Sequence, residues 1–218
     1  MSKLYEHQSP YQNIQVWESE SRDGSTVRAL YLDDDLQFDD NNELAVHEAF
    51  LEPLVRYTDL DNKQVLILGG GDGGMARTTL DWFPHAKITQ CEIDEKVIEV
   101  SKEYFPKLNN DGKVFEDISL HIGDGQQYVY NLIEDNKQDK WSRDIRYDTT
   151  ILDLTIHPQF DFKSIATISD HVSFFISYKT IEQFDLNTFS LFEDYRAEPV
   201  NIKGYHNDSI IFCAGKFK

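Results

Sequence analysis

Four acidic residues lie at the ends of predicted strands or in the turns that follow them, and their type and spacing indicate a ligand-binding site. They are Asp72, Glu92, Asp124 and Asp153. In an open α/β sheet the carboxyl ends of parallel strands meet at one edge, where small ligands bind. We therefore expect the four carboxylates to converge on one crevice and to accept hydrogen bonds from a hydroxylated or cationic ligand.

A glycine-rich turn stands between an apolar run at 65–68 and a predicted helix. The turn contains Gly69, Gly71 and Gly73. Glycines let the backbone turn sharply and let a ligand approach it closely, although a tight turn alone could also require them. Glu92 ends the next predicted strand 21 residues after Gly71, where an acid can bind two ribose hydroxyls. The combination predicts a nucleoside site.

The carboxylate inside the glycine turn distinguishes two classes of nucleoside ligand. Asp72 would share the N-terminus of the following helix with a pyrophosphate, and the like charges would repel each other. A cationic ligand suits this position, which favours an S-adenosyl compound over a dinucleotide. Asp124, which precedes Gly125, can accept a hydrogen bond from the amine of adenine, but an Asp-Gly pair is equally typical of a plain turn.

The elements that position these residues alternate between strand and helix. The pattern predicts strands at 65–68, 87–92, 118–122 and 147–153 and helices at 75–83, 94–105 and 126–133. Residues 134–140 are predicted to form a solvated loop. Such alternation predicts a parallel sheet with helical crossovers. Two later strands, at 172–177 and 209–213, are predicted to close the sheet.

A smaller unit precedes this region. Two alternating segments, 14–18 and 27–32, flank a turn and predict a β-hairpin, and helical spacing predicts a helix over 43–55. We therefore divide the chain into an N-terminal β-hairpin region with its connecting helix (1–55) and a nucleoside-binding catalytic domain (56–218). The predicted fold class is α/β, a Rossmann-like parallel sheet of the type found in S-adenosylmethionine-dependent transferases, with an N-terminal β-hairpin appendage.

Composition narrows the possible partners. With 39 acidic and 21 basic residues the net charge is −18, which disfavours binding to nucleic acid or to anionic membranes. An acidic surface also serves solubility alone, so the charge permits a small cationic substrate without showing one. Cys91 and Cys213 form no metal-binding or disulfide pattern. Because neither a signal peptide nor a membrane span is predicted, we expect a cytoplasmic protein.

These motifs together resemble the spermidine synthase family. The segments VLILGGGDGG (65–74) and CEIDEKVIEVSK (91–102) look like the nucleoside-binding core of that family, and 121–125 and 147–153 are also similar. Upstream, 11–14 resembles the family's YQDI, 32–37 its LDGVxQ and 42–48 its DEFAYHE. The similarity covers about residues 10–155 well and the remainder only loosely.

The resemblance implies a polyamine aminopropyltransferase and assigns roles to its residues. The enzyme would move the aminopropyl group of decarboxylated S-adenosylmethionine, a substrate rather than a permanent cofactor, to putrescine or a related polyamine. The donor site would comprise Gln37, Gly69, Gly71, Asp72, Gly73, Glu92, Asp124 and Gly125. Asp72 and Asp153 would be catalytic, and Gln12, His47 and Tyr205 would bind the acceptor. No metal is implied, and a homodimer is expected.

The family's motifs that form the acceptor site are only partly present in this sequence. Ile156 stands where the family has a second acid after Asp153, and Val46 stands where it has a tyrosine. Two alternatives therefore remain open at this point. The chain could be an S-adenosyl-sulfonium enzyme with another acceptor or reaction, such as a methyltransferase or a lyase. It could also be a homologue that binds the nucleoside without catalysis.

Overall fold

Two β-sheets organise the chain. The computed structural model describes residues 1–138, 145–154, 160–177, 181–200 and 210–218. Within these described residues the first sheet has four strands and the second has seven. The α/β class and the Rossmann-like sheet that the sequence predicts are confirmed.

The N-terminal appendage is a four-stranded antiparallel sheet. Its strands are β1 (Ser2–Gln8), β2 (Asn13–Glu20), β3 (Thr26–Leu32) and β4 (Asp35–Asp39). The predicted hairpin is the central pair β2–β3, and the two outer strands were not predicted. Strand β1 is exposed at every position except the half-buried Tyr5. It therefore lacks the alternation of apolar and polar residues that a half-buried strand shows.

The main sheet is parallel through most of its width. Its strands are β5 (Gln64–Gly69), β6 (Lys87–Glu92), β7 (Ser119–Ile122), β8 (Tyr147–Asp153), β9 (Ser169–Ser177), β10 (Phe192–Val200) and β11 (Ile210–Phe217). The pairs β5–β6, β6–β7, β5–β8 and β8–β9 are parallel, and β11 pairs antiparallel with β9 and β10. The chain proceeds outward from β5 to β7 and then returns to the other side of β5. Ligands bind at such a switch point in open α/β sheets.

Six α-helices flank the described strands. They are α1 (Glu43–Leu54), α2 (Gly74–Trp82), α3 (Glu95–Tyr104), α4 (Val114–Asp117), α5 (Gly125–Gln138) and α6 (Phe162–Ile168). The prediction of a loop at 134–140 was wrong for 134–138, which continue α5, and residues 139–140 lie outside the described residues. This polar end carries an ion pair of 2.6 Å between Lys137 and Glu134, a spacing that stabilises helices. None of the described helices combines the length and the apolar character needed to cross a membrane.

Helix α1 packs on the main sheet although it follows the N-terminal sheet in sequence. Phe50 is fully buried, and its ring lies 5.0 Å from that of Phe212 and 5.7 Å from that of Phe175. The Oγ atom of Ser173 donates to the carbonyl of Phe50 at 2.7 Å. The domain boundary at 55/56 stays a prediction.

The N-terminal sheet packs on α3. Its fully buried side chains form one apolar cluster with residues of α3 and of the segment that follows it. The cluster contains Ile14, Val16, Leu30, Phe38, Val97, Val100, Phe105 and Leu108. Because α3 begins directly after the end of β6, this contact places the N-terminal sheet beside the carboxyl edge of the main sheet.

Candidate active site

A cavity of about 690 Å³ lies between the N-terminal sheet and the carboxyl ends of β5, β6 and β8. Six carboxylates line it: Asp33, Asp35, Asp72, Glu92, Asp124 and Asp153. No lysine, arginine or histidine of the described residues lines it. The cavity is therefore a concentrated negative site suited to a cationic ligand.

Most of the residues predicted from the sequence meet in this cavity. Its wall includes Gln12, Gln37, Gly69, Gly71, Asp72, Glu92, Asp124, Gly125 and Asp153. Two others lie behind the wall. Gly73 is the N-cap of α2, and His47 is 2% exposed. Tyr205 and Ile156 lie outside the described residues.

The glycine turn is shaped by close contacts with the acids. Gly69 and Gly70 have φ values of 89° and 72°, in the left-handed region that favours glycine. The amide of Gly70 donates to the carbonyl of Asp153 at 3.1 Å. A Cβ atom on Gly71 would stand 2.8 Å from the carboxyl carbon of Glu92, so this turn can approach Glu92 only without a side chain.

Gln90, in the neighbouring strand β6, supports the same turn through its side chain. Its side chain is completely buried in β6, and its Nε2 atom donates to the carbonyls of Gly69 at 3.1 Å and of Gly70 at 2.6 Å. Gln90 was not predicted from the sequence as a residue of the site. A polar side chain in the interior of a buried parallel strand was the available signal, because buried polar groups need partners.

Glu92 is held by two backbone amides. Gly71 N donates to its Oε2 at 3.0 Å, and Asp94 N donates to its Oε1 at 2.9 Å. The residue is 7% exposed. Burial raises its pKa to about 7, with smaller increases from Asp72 and Asp94, while the two amides lower it. The carboxylate keeps a fixed orientation at the cavity wall and can accept further hydrogen bonds from paired hydroxyls.

Asp72, Asp153 and His47 form a second cluster. His47 Nε2 lies 3.8 Å from Asp72 Oδ1, and each of the three residues offers one ligand atom within 4.8 Å of the others. Asp153 Oδ2 is buried and has no hydrogen-bond partner among the described residues. Burial, and secondly the charge of Asp72, raise the pKa of Asp153 to about 7, whereas His47 lowers it. Such a set could hold an ammonium group or a metal ion.

Asp124 and the two glutamines have local partners as well as a place on the wall. Asp124 Oδ1 accepts from the amide of Gln127 at 3.0 Å in the first turn of α5. Gln37 Nε2 donates to the carbonyl of Asp35 at 3.0 Å, and Gln12 Nε2 donates to Asp94 Oδ2 at 3.3 Å. Asp124 therefore stabilises a local turn and also lines the cavity.

Comparison with known proteins identifies spermidine synthases and polyamine aminopropyltransferases that match this chain over part of their own length. Spermidine synthase 1 of Hyoscyamus niger is 36% identical over 132 residues, 59% of this chain and 39% of its own. A polyamine aminopropyltransferase of Prochlorococcus marinus (strain NATL2A) is 34% identical over 151 residues, 69% of this chain and 47% of its own. The chain thus spans less than half the length of these curated relatives.

Solved structures share the fold. The crystal structure of spermidine synthase from Thermotoga maritima superposes with a TM-score of 0.72 at 23% identity, covering 98% of this chain and 72% of that one. A spermidine synthase in complex with the transition state analogue AdoDATO gives a TM-score of 0.71 at 23% identity, with the same coverage. The spermine/spermidine synthase domain model matches residues 43–188, more than half of the 218. The resemblance seen in the motifs is confirmed, and the chain belongs to the spermine/spermidine synthase family.

Proposed function

We propose that this protein transfers the aminopropyl group of decarboxylated S-adenosylmethionine to putrescine or a related polyamine and releases methylthioadenosine. The observation that carries the proposal is the charge of the cavity. Six carboxylates and no basic side chain among the described residues line it. Both substrates are cations, since the donor carries a sulfonium and an ammonium and the acceptor carries amines. Membership of the family supports the same reaction.

The proposed donor site divides between the turn and the strand ends. Glu92 and Gln37 would hold the ribose, and Asp124 with Gly125 the adenine. Gly69, Gly71 and Gly73 would shape the turn that receives the nucleoside. Support comes from the two amides that fix the Glu92 carboxylate at the wall. A Cβ atom on Gly69 would overlap the carbonyl oxygen of Asp153, so only glycine lets the turn pack this closely against the acids at the strand ends.

Asp72 would select the donor. Its Oδ1 accepts from the amide of Gly74 at 2.6 Å, which holds the carboxylate at the start of α2. There it would pair with the ammonium of the aminopropyl arm. Ordinary S-adenosylmethionine carries a carboxylate on that arm, and two negative groups in contact would repel each other.

Asp153 would prepare the acceptor for attack. The amine nitrogen attacks the carbon beside the sulfonium, so a C–N bond forms while the C–S bond breaks. The electron pair of the broken bond returns to sulfur and leaves the neutral thioether. The attacking amine must lose a proton, and a carboxylate whose pKa is raised to about 7 can accept it near neutral pH.

The remaining acceptor residues would be Gln12, His47 and Tyr205. Val46, which replaces the family's tyrosine, is half-buried and packs against the core cluster of the main sheet. Position 46 therefore offers no hydroxyl to an acceptor. We also propose that the protein acts in the cytoplasm as a homodimer that binds neither nucleic acid nor membranes, which light scattering and fractionation would test.

Incubation with defined substrates tests the reaction. The protein is mixed with decarboxylated or intact S-adenosylmethionine, each with and without putrescine or spermidine, and the products are identified by mass spectrometry. We expect methylthioadenosine and an aminopropylated amine only from the decarboxylated donor with an amine. Methylated amine from the intact donor would instead indicate a methyltransferase. Binding of methylthioadenosine without turnover would indicate a non-catalytic homologue.

A further inference from the structure

A buried hydrogen bond joins the N-terminal sheet to the start of α3. Ser9 Oγ donates to Asp94 Oδ2 at 2.6 Å, although the two residues are 85 positions apart in sequence. Ser9 is 4% exposed and Asp94 is 2% exposed. A hydroxyl that donates to a buried carboxylate forms one of the stronger hydrogen bonds in proteins.

The Ser9 end of this bond shapes the cavity wall. Ser9 Oγ accepts from the amides of Tyr11 at 3.1 Å and Gln12 at 3.0 Å. These bonds fix the turn that leads into β2 and that carries Gln12 onto the wall. Gln12 Nε2 also donates to the same oxygen of Asp94 at 3.3 Å. One carboxylate oxygen therefore accepts hydrogen bonds from the side chains of Ser9 and Gln12.

The Asp94 end of the bond reaches Glu92. Asp94 Oδ1 accepts from the amide of Lys96 at 3.1 Å and so caps α3. The amide of Asp94 donates to Glu92 Oε1 at 2.9 Å, and Glu92 Oε2 in turn accepts from Gly71 at 3.0 Å. Hydrogen bonds thus connect the N-terminal turn to the glycine turn through the covalent structure of Asp94 and the carboxylate of Glu92.

We propose that Ser9 and Asp94 are positioning residues, and that their hydrogen bond, the latch, holds the turn from Ser9 to Gln12 in a fixed position relative to Glu92. The order of this part of the cavity wall and the affinity for the nucleoside therefore depend on each other. The proposal rests on the proposed nucleoside site. The apolar cluster between the N-terminal sheet and α3 does not involve the Ser9 hydroxyl. Loss of that hydroxyl therefore loosens the turn and leaves the sheet packed.

Nucleoside affinity provides the first test. Calorimetry with methylthioadenosine compares wild type with Ser9→Ala, Ser9→Thr and the control Ser25→Ala. The Ser25 hydroxyl donates to Asp23 at 2.7 Å within an exposed turn of the same sheet. We expect Ser9→Ala to weaken binding by up to about tenfold, because binding must then order the turn that a hydrogen bond to a charged group holds in the wild type. Ser9→Thr, which keeps the hydroxyl, and Ser25→Ala should bind like wild type. Wild-type affinity in Ser9→Ala would overturn the proposal.

Hydrogen exchange in the ligand-free protein separates a latch from a merely local role. The amides of Tyr11 and Gln12 should exchange faster in Ser9→Ala under either role, because they donate to the lost oxygen. Only a latch also accelerates exchange at Asp94 and Gly71, the amides that hold Glu92. Unchanged protection at these two amides would overturn the proposal. If wild type binds no methylthioadenosine, the proposed function fails, and exchange at Asp94 and Gly71 still decides the latch.

Discussion

At the scale of single residues, Glu92 combines a fixed orientation with a raised pKa. Backbone amides donate to both carboxylate oxygens, at 3.0 and 2.9 Å, so any rotation of the carboxylate would break a hydrogen bond. Burial nevertheless raises its pKa to about 7. Its strength as an acceptor for ribose hydroxyls therefore depends on pH, because the ionised form is the stronger acceptor.

We predict that Glu92→Gln weakens methylthioadenosine binding by about tenfold to a hundredfold at pH 8, since hydrogen bonds to a charged group are worth about 1.5–3 kcal/mol each. Wild-type affinity should rise between pH 6 and pH 8 as the carboxylate ionises. The affinity of Glu92→Gln should not follow that rise. Calorimetry at both pH values measures the effect. Equal affinities of the two proteins at pH 8 would remove Glu92 from the site.

Asp72 should act on one arm of the ligand. Asp72→Asn keeps an oxygen for the amide of Gly74, which now donates to Oδ1 at 2.6 Å, so α2 retains its first turn. We predict a loss of affinity for decarboxylated S-adenosylmethionine at least about tenfold greater than the loss for methylthioadenosine, which lacks the ammonium. Competition binding with the two ligands measures the difference. Parallel losses for both ligands would reduce Asp72 to a turn residue.

At the scale of elements, the glycine turn depends on a strand that it does not belong to. Gln90 Nε2 satisfies the carbonyls of Gly69 and Gly70 from the middle of β6. We predict that Gln90→Met, which keeps the bulk and removes the donor, lowers the free energy of unfolding by about 2 kcal/mol, because two hydrogen bonds of about 1 kcal/mol each are lost. The carbonyl of Gly70 keeps the amide of Gly73 as a partner at 2.9 Å. Urea denaturation measures the change, and nucleoside affinity should fall with it.

A neighbouring strand supplies the matched control. Thr149 is completely buried in β8, and its Oγ1 has no partner among the described residues. Thr149→Val therefore removes a buried polar atom without breaking a hydrogen bond, and it should leave stability unchanged or slightly raised. If Gln90→Met is no more destabilising than Thr149→Val, the amide of Gln90 does not support the turn.

The parallel strands and the helices between them could be predicted because their patterns are local. Strand β5 lies where the apolar run at 65–68 indicates, since strands buried on both faces are apolar runs. Strand β10 has one buried residue, Phe192, in nine. An exposed edge strand of this kind carries no apolar pattern. Helix α6 buries Phe162, Ile165 and Ile168 in only seven residues, too few to establish a period.

At the scale of the whole molecule, topology explains which site residues could be predicted. The four acids at strand ends were found because parallel strands bring their carboxyl ends together whatever the details of packing. Ser9 and Gln90 were missed because their roles depend on atoms 85 and about 20 positions away. A serine hydroxyl in a turn gives no sign of the carboxylate that it will meet.

The same convergence of acids affects the stability of the folded protein. Asp153 and Glu92 both have pKa values raised to about 7, against ordinary values of 3.8 and 4.5. Between these limits the folded state binds more protons than the unfolded state. The contribution of these two groups to stability is therefore fully present below about pH 4 and is lost as the pH rises through about 7. The protein keeps two buried carboxyl groups, each partly ionised at neutral pH, where neutral groups would be more stable.

We predict that Asp153→Asn is more stable than wild type at pH 8 and that this advantage shrinks towards pH 5. At about 1.36 kcal/mol per pKa unit, the advantage should change by about 2–3 kcal/mol between these pH values. Turnover should fall by a factor of about 10² in the same variant. Asp170→Asn, which breaks an exposed ion pair with Arg146, should change stability by less than about 1 kcal/mol at either pH. Urea denaturation at pH 5 and pH 8 measures the free energies of unfolding. If the stability difference between Asp153→Asn and wild type is the same at both pH values, the pKa of Asp153 is not raised in the folded protein.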